Sequence, residues 1–145
     1  MKIWKQEFSL EGMNAMSQNT MVETLGIEFI EIGEDYLKAK MPVNTNTVQP
    51  MRILHGGASV ALAETIGSVA SLCCLTDVST YQVVGLDINA NHLKSVVEGS
   101  FVVGTAQPIH LGKKTHVWKI EIHDERHKLV CISRLTMMVR AVRVP

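Results

Sequence analysis

His55-Gly56-Gly57-Ala58-Ser59-Val60-Ala61-Leu62-Ala63-Glu64 stands at the head of a run, Leu54 to Leu75, that is apolar or small on every side. Such a run reads as one long helix, and a helix without a polar face belongs inside a core. Glu64 is its only acidic residue. An unpaired carboxylate is costly to bury, so its presence there points to a partner or a chemical task. The helix opens on His-Gly-Gly, where no bulky side chain shields the free backbone N–H groups. Those donors, with the positive end of the helix dipole behind them, suit a carbonyl oxygen that gains negative charge. A buried acid and an open helix N-terminus are two halves of a hydrolytic site.

Upstream, Asn44 to Arg52 is a polar loop that carries the chain to the helix. Its Gln49, six residues before His55, is close enough to reach the same pocket. Before the loop, Ile27 to Ile32 is apolar and β-branched, and Gly33-Glu34-Asp35 is a turn. Tyr36 to Val43 then alternates, with Leu37, Ala39, Met41 and Val43 on one face. Together these segments predict a hairpin. Further back, Ser9 is placed to cap a short helix through Met16, and Thr20 to Leu25 forms another turn ended by Gly26.

Downstream, Asp77-Val78-Ser79-Thr80 breaks the helical pattern and four strands are predicted. These are Gln82 to Leu93, Ser100 to Ile109, His116 to His123, and Leu129 to about Val139. The first sets Asp87, Asn89 and Asn91 opposite Val84, Leu86 and Ile88, and its Gly85 would let a substrate approach the backbone closely. The third turns Trp118, Ile120 and Ile122 inward. The order β-β-α-β-β-β-β predicts an α+β fold, in which a curved antiparallel sheet of five or six strands wraps one central helix. Ala63, Gly67, Ala70 and Ser71 would let the sheet come close to it. Residues 1–145 read as a single domain, long enough for one substantial core.

Composition narrows the function classes. The 14 basic and 14 acidic residues cancel, which argues against a nucleic-acid partner and a polybasic membrane surface. Aromatic residues are too sparse for a single-strand stacking platform. Glu64, Thr65, Ser68 and Ser71 interrupt the apolar run and argue against a membrane span. Cys73, Cys74 and Cys131 lack a C-x-x-C spacing for a metal or a redox pair, and Cys131 has no motif joining it to a histidine. Free thiols in apolar segments fit a reducing cytoplasm, and Met1 to Glu7 lacks the apolar core of a signal peptide. His123 and His127 have H-x-x-x-H spacing, but they straddle a hairpin turn and read as solvent-exposed rather than as metal ligands.

Gln49-Pro50, Leu54-His55-Gly56-Gly57-Ala58-Ser59, Leu62-Ala63-Glu64 and Ser68 together resemble the hotdog-fold acyl-CoA thioesterases. The resemblance is greatest to the aromatic acyl-CoA branch, with its dihydroxynaphthoyl-CoA, enterobactin-proofreading and phenylacetyl-CoA thioesterases. It continues through Asn19-Thr20-Met21-Val22, Met41-Pro42-Val43, Val83-Val84-Gly85, Asn89-Ala90-Asn91-His92 and His110-Leu111-Gly112, nearly the whole chain. It implies a hotdog fold, a homo-oligomer (a dimer, or a dimer of dimers forming a homotetramer) and hydrolysis of an acyl-CoA or acyl-carrier-protein thioester. An aromatic or medium-chain acyl group is expected, with no metal and no redox cofactor.

Carried over by position, the resemblance makes Glu64 the nucleophile or the base for water, acting across a dimer interface. It makes Gly56 N–H the oxyanion donor, has Gln49 and His55 orient the thioester, and has Ser68 hold the attacking water. Ser68 lies four residues past Glu64 and shares its helix face. Two polar turns would meet the coenzyme A phosphates: His92, Lys94 and Ser95 in one, His110, Gly112, Lys113 and Lys114 in the other. One departure stands out. Dihydroxynaphthoyl-CoA and enterobactin-proofreading relatives commonly read Phe-Gly-Leu where this chain has Met51-Arg52-Ile53, a segment bordering the acyl pocket. The alternative reading is a hotdog protein that binds acyl-CoA as a sensor without hydrolysis. Glu64 beside His55-Gly56 favours the enzyme, because a sensor has no need of that carboxylate.

Overall fold

Leu37, Ala39, Met41 and Val43 are all inaccessible to solvent, as their alternation predicts; the first three form the inner face of strand β2 (Leu37–Pro42), and Val43 directly follows it. The computed structural model describes residues 1–142. Strand β1 (Glu28–Ile32) pairs antiparallel with β2 as the expected hairpin. Two short helices precede it, α1 (Leu10–Met16) and α2 (Met21–Thr24). Their caps are Ser9 and Thr20, whose side chains accept from Gly12 N–H and Val22 N–H. Each cap satisfies a backbone donor that the helix itself leaves free.

The long helix α3 runs Gly56–Cys73, shorter at both ends than the apolar run that announces it. Leu54 is not its first turn. It bridges Val48, and its N–H bonds to Val96 O at 2.8 Å. At the other end, Cys74 N–H folds back onto the Ala70 and Ser71 carbonyls, the tightening usual at a helix end.

Four strands follow: β3 (Tyr81–His92), β4 (Phe101–Leu111), β5 (Thr115–Asp124) and β6 (Leu129–Ala141). All six strands form one sheet in the order β1-β2-β4-β5-β6-β3, with every pairing antiparallel. This is the hotdog arrangement, one helix wrapped by one antiparallel sheet. Trp118, Ile120 and Ile122 of β5 are fully buried, as are Leu62 and Ile66 of α3. The small residues on α3 set the spacing: a Cβ on Gly67 would overlap the Leu135 side chain. Trp118 Nε1 donates to Ser71 Oγ at 2.6 Å, so two buried polar groups satisfy each other. By length and hydropathy α3 could cross a membrane, yet half of that window is buried inside this fold.

β3 departs from its simple alternation. The register slips between Gly85 and Asp87, so Leu86 is an extra, unpaired residue, 58% exposed, and the inward face passes from Ile88 and Ala90 to Val83 rather than to the expected Val84 and Leu86. One added residue in a strand breaks the period of two and bends the chain. β3 is also an edge strand, twelve residues long. An edge of that length is a template for another chain.

Candidate active site

The start of α3 is built around His55. Its backbone is extended, and its Nδ1 accepts from Gly57 N–H at 2.8 Å. An imidazole that accepts at Nδ1 carries its proton on Nε2, so His55 presents a donor outward. With Gly57 N–H used, the Gly56 N–H has no partner among the described residues. The His92 ring lies against Gly56 so closely that a Cβ there would sit 2.9 Å from Nε2. A cleft of about 380 Å³ opens at this point, lined by Gln49, Gly56, His92, Lys94 and Ser95 among others. The polar loop, the helix start and the end of β3 therefore meet in one chain. His92, grouped by sequence with the phosphate contacts, lies in this cleft beside Gly56.

Glu64 lies eight residues along α3, roughly 12 Å from Gly56 at 1.5 Å per residue. Its carboxylate has no hydrogen bond or ion pair among the described residues, and burial pushes its pKa up. The neighbour that shapes its position is Gly85 of β3, where a Cβ would overlap Glu64 Oε1. The sequence suggests that Gly85 makes room for substrate; in the structure its missing Cβ makes room for Glu64 as well. Ser68 follows one turn later, its Oγ donating to Met137 Sδ at 3.7 Å. A thioether is a weak acceptor, so that hydroxyl remains suited to a stronger partner. Gly85 and Met137 are paired across β3 and β6, so Glu64, Ser68 and Gly85 form a second cluster under the free edge. An acid and an oxyanion donor must each stand about 3 Å from the reacting atoms. Within one chain these two clusters are too far apart.

The cationic residues also divide between the ends of α3. Lys94 is not free. Its Nζ pairs with the buried Asp124, which also accepts from Arg126 and Lys128 N–H at 2.9 Å. The Lys94 ammonium, with those backbone donors, holds the Asp124 carboxyl down to about 2. Lys113 and Lys114 lie in the β4–β5 turn, closed by Gly112 N–H to Thr115 O at 2.9 Å. His110 folds over Gly112, where any Cβ would strike its ring. Gly112 and Lys113 line a cavity of about 550 Å³ at the C-terminal end of α3.

Asp124, His116 and Glu98 carry no signal in the sequence reading. Asp124 looks like an ordinary turn residue until Lys94, thirty positions away, is placed on it. His116, buried in the wall of the larger cavity, has an Nδ1 without a partner among the described residues, and burial lowers its pKa. Arg52 and Glu98 form an ion pair beside the Gln49 loop. Cys73, Cys74 and Cys131 are unpaired, and burial pushes the first two up to about 12 and about 11. Such thiols are poor nucleophiles. Among the described residues, no group of three His, Cys, Asp or Glu side chains could hold a metal ion.

The chain and its fold are similar to those of known proteins. The family described as "Thioesterase superfamily" matches residues 51–131. The chain is 52% identical over 137 residues to the 1,4-dihydroxy-2-naphthoyl-CoA hydrolase of Escherichia coli (strain K12), covering 94% of this chain and 98% of that protein. It is 49% identical over 137 residues to the proofreading thioesterase EntH of Cronobacter turicensis, covering 94% and 98% respectively. Among solved structures, a thioesterase from Haemophilus influenzae superposes with a TM-score of 0.92 at 51% identity, covering 96% of this chain and 95% of that one.

Proposed function

Because this chain belongs to the thioesterase superfamily, we propose that it hydrolyses an acyl-CoA thioester to a free acid and coenzyme A, with an aromatic acyl group preferred over a medium-chain one. The reading rests on one observation above all: a half-buried carboxylate, Glu64, without a partner among the described residues, under a free strand edge. Two copies joined antiparallel along β3 run in opposite directions, so the Gly56 end of one protomer approaches Glu64 of its mate. In that site Gly56 N–H receives the oxyanion while Gln49 and His55 orient the thioester. Ser68 holds water, and Glu64 removes its proton as the C–O bond forms and the C–S bond breaks. The proton then passes to the departing thiolate. Attack by Glu64 itself, followed by hydrolysis of the acyl-enzyme, uses the same constellation. No metal or redox cofactor has a part in either route. Two buried thiols outside any disulfide accord with a cytoplasmic enzyme.

Mixed oligomers test this arrangement. Glu64→Gln and Gln49→Ala are each expected to be nearly inactive in release of free thiol from benzoyl-CoA. In a heterodimer of the two, one site lacks both groups and the other is whole, so activity returns. No recovery would place the site within one chain. Light scattering that found an active monomer of 16.0 kDa would reject the shared site outright. Tight binding of benzoyl-CoA without thiol release would favour the sensor. A screen of acyl-CoA and acyl-carrier-protein thioesters then identifies the acyl group and carrier.

A further inference from the structure

Gln49 must offer a donor to a thioester carbonyl, and a primary amide can offer either a donor or an acceptor. Its Oε1 accepts from Met51 N–H at 2.5 Å, which leaves Nε2 for the cleft that Gln49 lines. That bond depends on a tight turn. Arg52 N–H donates to Gln49 O, and Gln49 N–H to Ile53 O, both at 2.9 Å. Turns of this length place their closing residue in the left-handed region, where glycine is favoured. Here the residue is Arg52, at φ +61°.

The Arg52 side chain is anchored in turn. Its Nε and Nη2 reach the two oxygens of the Glu98 carboxylate, at 2.9 and 2.5 Å. A two-pronged contact fixes orientation as well as distance. The backbone follows the same seam: Glu98 N–H donates to Arg52 O at 3.1 Å, and Ile53 bridges Val97.

We propose that Arg52 and Glu98 are positioning residues, whose ion pair holds the Gln49–Ile53 turn in its left-handed form and so keeps the Gln49 amide nitrogen directed at the thioester. The catalytic consequence rests on the thioesterase reading; the structural latch does not.

Three single variants and a swap separate the parts. Glu98→Gln removes the charge and leaves the Arg52 backbone alone. Arg52→Ala removes the pair and keeps the unfavourable φ, whereas Arg52→Gly removes both. On benzoyl-CoA, E98Q and R52A are expected to lose about tenfold in kcat with KM held within about twofold. R52G should retain more turnover than R52A, because glycine accepts the left-handed form unaided. The charge swap R52E/E98R should restore most of the loss. Amide hydrogen exchange at Met51, read on the intact protein, should quicken in E98Q and R52A. Unchanged Met51 exchange would overturn the latch, and so would an R52A variant at least as active as R52G. Faster exchange with wild-type kcat would overturn the positioning role. Should wild type release thiol from no acyl-CoA, the thioesterase reading falls alone, and Met51 exchange still decides the latch.

Discussion

The two ends of α3 are finished in opposite ways. At the C-terminal end, Cys73 O accepts from Lys5 and Gln6 N–H, and Gln6 Nε2 donates to Leu75 O at 2.6 Å. Trp4, in the same N-terminal segment, stacks on Trp118 and donates Nε1 to Gly33 O at 2.7 Å. The chain thus supplies the partners that a helix end otherwise seeks from water. At the N-terminal end His55 Nδ1 accepts from Gly57 N–H and His55 O from Ala58 and Ser59 N–H, while Gly56 N–H is left without a partner among the described residues. Pairing of buried backbone groups is close to obligatory in native structures. It is fulfilled at the C-terminal end and left open at Gly56, where the proposed thioester carbonyl would complete it.

The largest effect should come from Glu64, the acid proposed to act at the open end. Glu64→Gln is expected to reduce kcat by about 10³ or more, the range for loss of a positioned acid or base. Burial raises the Glu64 pKa, so the acid limb of the wild-type pH–rate profile should lie above pH 4.5, the ordinary value for this side chain. The same shift has a stability consequence of definite sign. A carboxyl that binds its proton more tightly when folded loses stability as pH rises through its raised pKa. At neutral pH, E64Q should therefore melt no lower than wild type, and any advantage should fade as pH falls below that value. A variant that loses activity by melting earlier would show Glu64 to be a structural group.

The closed end should respond in the other currency. Trp4→Ala removes a side chain that is 7% exposed, and such a truncation costs about 3 kcal/mol or more. Urea unfolding should show this loss, while kcat measured well below the melting temperature stays near wild type. Comparable damage to kcat would mean that the two ends are coupled.

Gly85→Ala sharpens the contrast, because it disturbs the acid without changing its chemistry. The new Cβ would overlap Glu64 Oε1, and the carboxylate must shift. Misplacement of a reacting group by about 1 Å can cost on the order of 10² in rate. The expected signature is a fall in kcat with KM nearly constant. Were Gly85 instead a substrate contact, KM would rise first.

Much of this organisation is legible in the sequence, and the misses have physical causes. The alternation in β2 and β5 and the short helix capped by Ser9 are recovered because each is written in local spacing, and the turn expected over Thr20 to Leu25 holds the second short helix. The ends of α3 are misjudged because apolar Leu54 continues the run while its backbone already pairs with Val96. The β3 bulge is invisible because Leu86 itself fits the alternation; only the partner strand reveals the extra residue. Gln49, Gly56, His92 and Ser95 are gathered in one cleft and Glu64 with Ser68 in another place. No single-chain spacing brings the two together. The Lys94–Asp124 pair, thirty residues apart in sequence, depends on tertiary folding alone.

That pair changes which cations can test coenzyme A binding, where the smallest effect is expected. Lys94→Ala would strand a buried Asp124, so damage there could not be assigned to the nucleotide. Lys113 and Lys114 form no ion pair among the described residues, and both are exposed. If they meet the phosphates, they bind ground and transition states alike. Replacing both with alanine should raise KM for benzoyl-CoA and leave kcat almost unchanged. Exposed charge contacts contribute at most about 1 kcal/mol each, so the rise should be no more than about fivefold per lysine. It should shrink with added salt, because the charges are screened. It should vanish for the N-acetylcysteamine thioester, which has no nucleotide to lose. Equal losses on both substrates would make the β4–β5 turn structural and remove the phosphate from this end of α3.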